Sequence, residues 1–227
     1  MKKLQQIGLL FLLLAPAAQA DLIFLRPNDI DTRHFPAPPR EGSAADAKDI
    51  DGVLRWQHDR TKQDCARATD EAGASLKSFY GMSHRVMSDA EITAVKSLYD
   101  DIMNDAGEFI SPIKKHWARP RPFQRDSRVQ ICVPKVTGFS YPSGHSTLGR
   151  VTALSFGLIF PDRKNALLDR GDEVGTDRVI GGVHHPLDVE MGRKLGDQLF
   201  AALKKSPVFN QRIADLKRRL RRYRSVR

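Results

Sequence analysis

The stretch that decides the fold class is Ser88 to Pro122, "SDAEITAVKSLYDDIMNDAGEFISPIKKHWARPRP". Ser88 with Glu91 three residues on is a capping box, the signature of a helix start. Ile92, Val95, Leu98, Ile102 and Met103 then recur at helical spacing. The pattern predicts an amphipathic helix from Ser88. Gly107 predicts a break, followed by a further helical segment that carries Lys114. The alternating prolines of "ARPRP" end it.

The same period recurs on either side. Ser43 can cap a helix from Ala44 to about Thr61. A second helix is expected over about 64 to 80, broken by Gly81. Residues 119 to 141 read as a long connection with several prolines. A helix starts at Ser143 and runs to about Phe160, where Pro161-Asp162 stops it. Another spans Asn165 to Asp177, with Gly171 as a weak spot. Gly181-Gly182 is a loop, and Pro186 suits the first turn of a helix running to about Lys204. Pro207 opens a last segment with Ile213, Leu216, Leu220 and Tyr223 in one stripe. No stretch alternates as a strand would. The fold expected is all-α, a single-domain helical bundle over residues 43–211.

The ends differ from this body. Lys2 and Lys3, an apolar run from Ile7 to Leu14, and Ala18-Gln19-Ala20 form a secretory signal pattern over 1–20. The run is too short to span a bilayer. This places the mature chain in the periplasm or outside the cell. Residues 21–42, with Pro27, Pro36, Pro38 and Pro39, read as an extended arm. The chain has a net charge of +10, and residues 212–227 alone contribute +7. The basicity belongs to a C-terminal tail, so a nucleic-acid partner is not indicated. That tail is basic and amphipathic. It either packs its stripe on the body or makes a weak contact with an anionic membrane surface. Cys65 and Cys132 are read as one disulfide, the alternative being two buried thiols. No Cys/His cluster points to a metal. Oligomeric state is left open, a homo-oligomer included.

Between 114 and 188 lies a set of residues suited to phosphate chemistry. Lys114, Arg121 and Arg178 can form a cationic cradle, arginine matching phosphate oxygens with its planar fork. Ser143 and Gly144 sit at an expected helix N-terminus, where unbonded amides favour an anion. His184 has Asp188 four residues on. A carboxylate on one ring nitrogen fixes the tautomer and leaves the other able to attack. His145 can then protonate the leaving oxygen and later activate water. Taken singly, Lys114 could be a solvated helix face, and Arg119 and Arg121 surface loop residues.

Together these residues resemble the type 2 phosphatidic acid phosphatase superfamily, whose three-part motif reads K-x6-R-P, P-S-G-H and S-R-x5-H-x3-D. The first part matches at Lys114, Arg121 and Pro122. The second matches Pro142 to His145, and the third Arg178, His184 and Asp188. The spacing selects His184 over His185. "PAPPREGS", "GFSYPSGHSTLG" and "LLDRGDEVGTDRVIGGVHHPLDVEMGR" are similar to one branch, the bacterial class A non-specific acid phosphatases, over most of residues 35–216. The resemblance implies a secreted all-helical enzyme acting on small phosphomonoesters. It also implies a phosphohistidine intermediate on His184, with no cofactor or metal required. A vanadium-dependent haloperoxidase resembles the same superfamily and is the competing enzyme reading. One position departs: Asp177 stands where the motif has Ser. It either competes for Arg178, leaving a weakened phosphate-binding protein, or turns away into a structural pair. Phe123, Phe139 and Tyr141 flank the motifs as candidate platforms for an aryl or nucleoside group.

Overall fold

In the computed structural model, which describes residues 22–225, the Ser88 stretch forms α4, Asp89–Trp117, without interruption. Ser88 Oγ accepts from the Glu91 amide, and the Glu91 carboxylate accepts from the Ser88 amide at 3.0 Å. Gly107 does not break the helix. Val95, Leu98, Tyr99, Ile102, Phe109 and Ile113 are buried on one face, and their packing carries the helix through. Met103 does not join them and is 38% exposed, because it lies about 100° round the helix from Ile102. Pro112 is also inside α4. The helix ends where Ala118 turns left-handed at φ 43°.

Before α4 come α1 (Ala44–Asp59), α2 (Lys62–Asp70) and α3 (Leu76–Tyr80). The single helix expected over 64–80 is therefore two. Ala74 is left-handed at φ 49°, and Ser75 starts a fresh capping box with Ser78. The long connection after α4 contains a short helix, α5 (Pro122–Arg125), with proline at its first turn. Then follow α6 (Gly144–Ile159), α7 (Lys164–Ile180), α8 (Pro186–Leu203) and α9 (Pro207–Ser225). No strand occurs among the described residues. The fold is all-α.

α6 is the hub, packed most extensively on α7 and α8. Its contact with α7 is backbone to backbone. A Cβ on Gly149 would lie 2.2 Å from the Gly171 carbonyl oxygen, and one on Gly171 would lie 2.3 Å from that of Gly149. Gly171 is thus a packing requirement, and α7 runs past Asp177 to Ile180. That extension puts Arg178 on the last helical turn.

The described part of the N-terminal arm is tied to the core. Asp105 accepts from the amides of Ile23, Phe24 and Leu25 at 2.8, 2.8 and 3.0 Å. Phe24, Leu25, Ile30 and Phe35 are buried. Cys65 of α2 is bonded to Cys132, closing a separation of 67 residues. α9 passes through residues 211 and 212 unbroken. Ile213 and Leu216 are buried, and Leu220 packs partly buried against the core. The stripe therefore faces the body. The signal pattern of 1–20 and the Tyr223 side chain lie outside what is described. No helix among the described residues is long and apolar enough to cross a membrane.

Candidate active site

Four helix ends meet at one place. The C-terminal turns of α4 and α7 bring Lys114 and Arg178. The N-terminal turns of α6 and α8 bring Ser143, Gly144, His145 and Asp188. Arg121 caps α5, and His184 lies in the turn between α7 and α8. All eight sequence-selected residues come to this region.

Asp188 is its buried centre. Its Oδ1 accepts from Arg119 Nη1 at 2.7 Å. Its Oδ2 accepts from Ser140 Oγ at 2.5 Å and from the His185 amide at 2.8 Å. His185 Nδ1 lies 2.9 Å and His184 Nδ1 3.4 Å from the same oxygen. Burial opposes ionisation, but hydrogen bonds from His184 and His185 and the charge of Arg119 outweigh it. The carboxyl stays well below its ordinary range.

The two histidines differ in what the second ring nitrogen meets. His185 Nε2 is 3.2 Å from Arg125 Nη1, whose guanidinium is held by Asp46. Both His185 nitrogens are thereby engaged in support. His184 Nε2 instead meets Arg121 Nη1 at 3.2 Å, inside the cationic group. Burial first, then the charges of Lys114 and Arg121, hold His184 well below the usual imidazole range, although Asp188 opposes them. His184 is neutral, with an unprotonated nitrogen among cations.

Those cations are held by carbonyls. Arg121 donates to Val183, Gly138 and Thr137 at 2.8, 3.1 and 3.1 Å. Arg178 Nη1 donates to the Ala68 carbonyl at 3.0 Å, and its buried Nε has no partner. Lys114 Nζ donates to the Phe139 carbonyl at 2.7 Å. Burial, then Arg121, lowers the Lys114 ammonium to about 7. Burial lowers Arg178 to about 10, against the pull of Glu71. Cations crowded this way favour a bound anion, which restores their charge.

At α6, Ser143 Oγ accepts from the Ser146 amide, and the Ser143 amide donates to the Asp188 carbonyl at 2.9 Å. A Cβ on Gly144 would meet nothing within 4 Å, so the space above this helix N-terminus is open. His145 Nε2 lies 3.1 Å from the Glu71 carbonyl. Burial, then Arg178, lowers His145 to about 3. It is neutral before any anion binds. No group of three or more His, Cys, Asp or Glu among the described residues is arranged to hold a metal ion.

Asp177 does not capture Arg178. It is buried and clasped by Arg67, Nε to Oδ2 at 2.8 Å and Nη2 to Oδ1 at 2.7 Å. Tyr141 is no platform either. It is buried, its ring lies 6.1 Å from that of Phe35, and its hydroxyl donates to the Pro36 carbonyl. Phe123 is partly buried in two small clusters. Phe139 is 40% exposed. Arg119, Arg125, Ser140, Arg67 and Glu71 escaped sequence reasoning. Arg119 is no surface residue: buried, it ties Asp188 to Asp46 and Asp49 on α1.

A sequence profile of the PAP2 superfamily matches residues 103–211. This chain belongs to the PAP2 superfamily. It is 29% identical over 193 residues to a non-specific acid phosphatase of Providencia stuartii, covering 81% of this chain and 77% of that one. It is 37% identical over 112 residues to a non-specific acid phosphatase of Salmonella typhimurium, covering 47% of this chain and 44% of that one. A similar solved structure is a transmembrane PAP2 type phosphatidylglycerolphosphate phosphatase from Bacillus subtilis. It has a TM-score of 0.54 and 19% identity over 73% of this chain and 87% of that one. That likeness bears on the fold alone.

Proposed function

We propose that this PAP2 protein is a secreted or periplasmic acid phosphatase that hydrolyses phosphomonoesters through a phosphohistidine on His184. The observation that carries the reading is the orientation of that ring. One nitrogen faces a buried carboxylate and the other faces the Arg121 guanidinium. A phosphoryl group held by Lys114, Arg121, Arg178 and the α6 amides would lie within reach of Nε2.

The chemistry runs in two displacements. The His184 Nε2 lone pair attacks phosphorus, the bond to the leaving oxygen breaks, and that oxygen takes a proton from His145. Water then attacks phosphorus and gives its proton to His145, the P–N bond breaks, and phosphate leaves. With Nε2–H on the Glu71 carbonyl, Nδ1 is the His145 atom that handles the proton. His145 is neutral before substrate binds, so this proton must arrive with the substrate. The phosphate monoester monoanion, favoured below about pH 6, carries one. On the other side, the cradle loses charge as Lys114 deprotonates near 7. Both effects place the optimum below neutrality.

The test is phosphate release from p-nitrophenyl phosphate across pH. Activity is expected to peak on the acid side, to survive EDTA dialysis and to be inhibited by vanadate, a mimic of the phosphoryl transition state. Loss of activity on chelation, restored by a divalent cation, contradicts the mechanism. Halide oxidation on adding vanadate and peroxide, with no phosphate release, favours the haloperoxidase reading instead.

The oxidising compartment is supported by the Cys65–Cys132 bond and by the signal pattern. A membrane contact by α9 would rest on charge alone, since its buried stripe is unavailable while Arg218, Arg219 and Arg221 are exposed. Replacing these three arginines with Gln should then abolish co-sedimentation with anionic vesicles at low salt. Equal sedimentation of parent and variant rules the contact out.

A further inference from the structure

Directly behind the cradle lies a buried carboxyl that the two displacements do not use. Glu71 is the C-cap of α2 and is fully buried. Its backbone carbonyl meets His145 Nε2 at 3.1 Å. Its Oε1 is bonded to Arg170 Nη2, while its Oε2 is buried and has no partner. Residue 71 therefore touches the proton-transfer histidine through its backbone and the charge set behind Arg178 through its side chain. To that set α7 contributes Arg170, Glu173, Asp177 and Arg178, α2 contributes Arg67 and Asp64, and α6 contributes His145. α3 adds the Ser78 carbonyl on Arg170 and the Tyr80 phenol, which burial keeps neutral, and the turn after it adds His84 on Glu173.

The balance of this set is unusual. Arg67 gives Nε and Nη2 to Asp177 and Nη1 to Asp64, and Arg170 serves Glu71 and Glu173. Arg178 is the cation left for substrate. An ionised Glu71 would add a second negative charge beside Asp177 and draw on Arg178. A protonated Glu71 would not. We propose that Glu71 is a positioning residue for the phosphate site, held as the neutral acid in the working enzyme so that Arg178 is left to the substrate, and that its ionisation weakens substrate binding at alkaline pH. Burial first, and then the Asp177 carboxylate, raise Glu71 to about 8 against the pull of Arg170. The sign follows: below about 8 the acid is neutral and binding is intact, and above it the added charge repels the phosphate. This limb lies above the one set by Lys114 near 7.

The proposal rests on the phosphatase reading, and the two fail differently. No phosphate release at acid pH sinks that reading. Release with an unmoved alkaline limb sinks only this one. The readout is the ratio of KM at pH 9 to KM at pH 6 for p-nitrophenyl phosphate, because a uniform change in KM cancels in it. Glu71→Gln stays neutral throughout, and its ratio is expected to be about threefold or more below that of the parent. The Lys114 limb remains in both proteins. An equal ratio overturns the proposal, since a merely structural role would shift KM at both pH values. If Glu71→Gln does not fold, Asp177→Asn serves. It removes the carboxylate that adds to burial in keeping Glu71 protonated, so the alkaline limb should begin at lower pH. An unmoved limb there overturns the proposal equally.

Discussion

At the scale of single residues, Asp177 shows how a motif departure is absorbed. A carboxylate in place of serine adds charge beside Arg178, and the sequence left open whether it would compete for that guanidinium. Arg67, 110 positions away in the chain, takes it instead in a bidentate pair. Nothing local around "DRVIGG" announces that partner. Asp177→Ser should therefore leave KM for p-nitrophenyl phosphate at acid pH nearly unchanged and cost stability, because it strips a partner from a buried arginine. Breaking a buried pair costs about 3–5 kcal/mol when one charge is stranded. Arg67 keeps Asp64 and Glu173, so a loss at or below about 3 kcal/mol is expected in urea unfolding. A severalfold fall in KM with unchanged stability would mean that Asp177 does compete. The motif residues themselves were legible because phosphate chemistry demands cations, histidines and a small residue at a helix start. Arg119 was not legible. Its three carboxylate partners lie 69 to 73 positions away, so no local pattern marks it.

At the scale of elements, period and caps located most of the helices, and glycine misled twice for opposite reasons. Gly171 looked like a weak spot but is required by the close approach of α6 and α7. Gly107 looked like a break but lies inside a continuous α4, and a Cβ there would meet nothing within 4 Å. Glycine at 107 thus carries the entropy cost of a flexible residue without a packing return. Gly107→Ala is expected to stabilise the fold by about 0.5–1 kcal/mol, read from the denaturation midpoint at unchanged slope. Destabilisation would show that α4 needs flexibility there. The stretch 64–80 failed as one helix because Ala74 adopts a left-handed turn. Alanine gives no warning of that conformation.

At the scale of the whole molecule, the site is an intersection of helix ends rather than a cleft built on one element. α4 and α7 deliver cations from their C-terminal turns. α6 and α8 point amide-rich N-terminal turns at the same place. This arrangement explains how three motifs spread from Lys114 to Asp188 come together in one place. It also explains why the disulfide matters beyond bulk stability. Cys65 lies two positions before Arg67, and Cys132 lies in the loop that ends at Tyr141 and Ser143. Closing a segment of this length is worth about 4 kcal/mol in the chain-entropy account. It fastens the α2 end that carries Arg67, Ala68 and Glu71 against the loop whose carbonyls hold Arg121 and Lys114. The all-helical class was legible from periodicity. The convergence of the four ends was not, because it depends on contacts between elements far apart in the chain.

The central claim is that His184 becomes phosphorylated. Acid-quenched trapping with a labelled phosphomonoester carrying a good leaving group tests it most directly. His145→Ala should accumulate phosphoenzyme, because the first displacement proceeds with such a substrate while water activation is lost. His184→Ala should trap none and turn over none. His185→Ala should still trap label, since both its ring nitrogens are committed to Asp188 and Arg125. Label retained in His184→Ala and lost in His185→Ala would contradict the account.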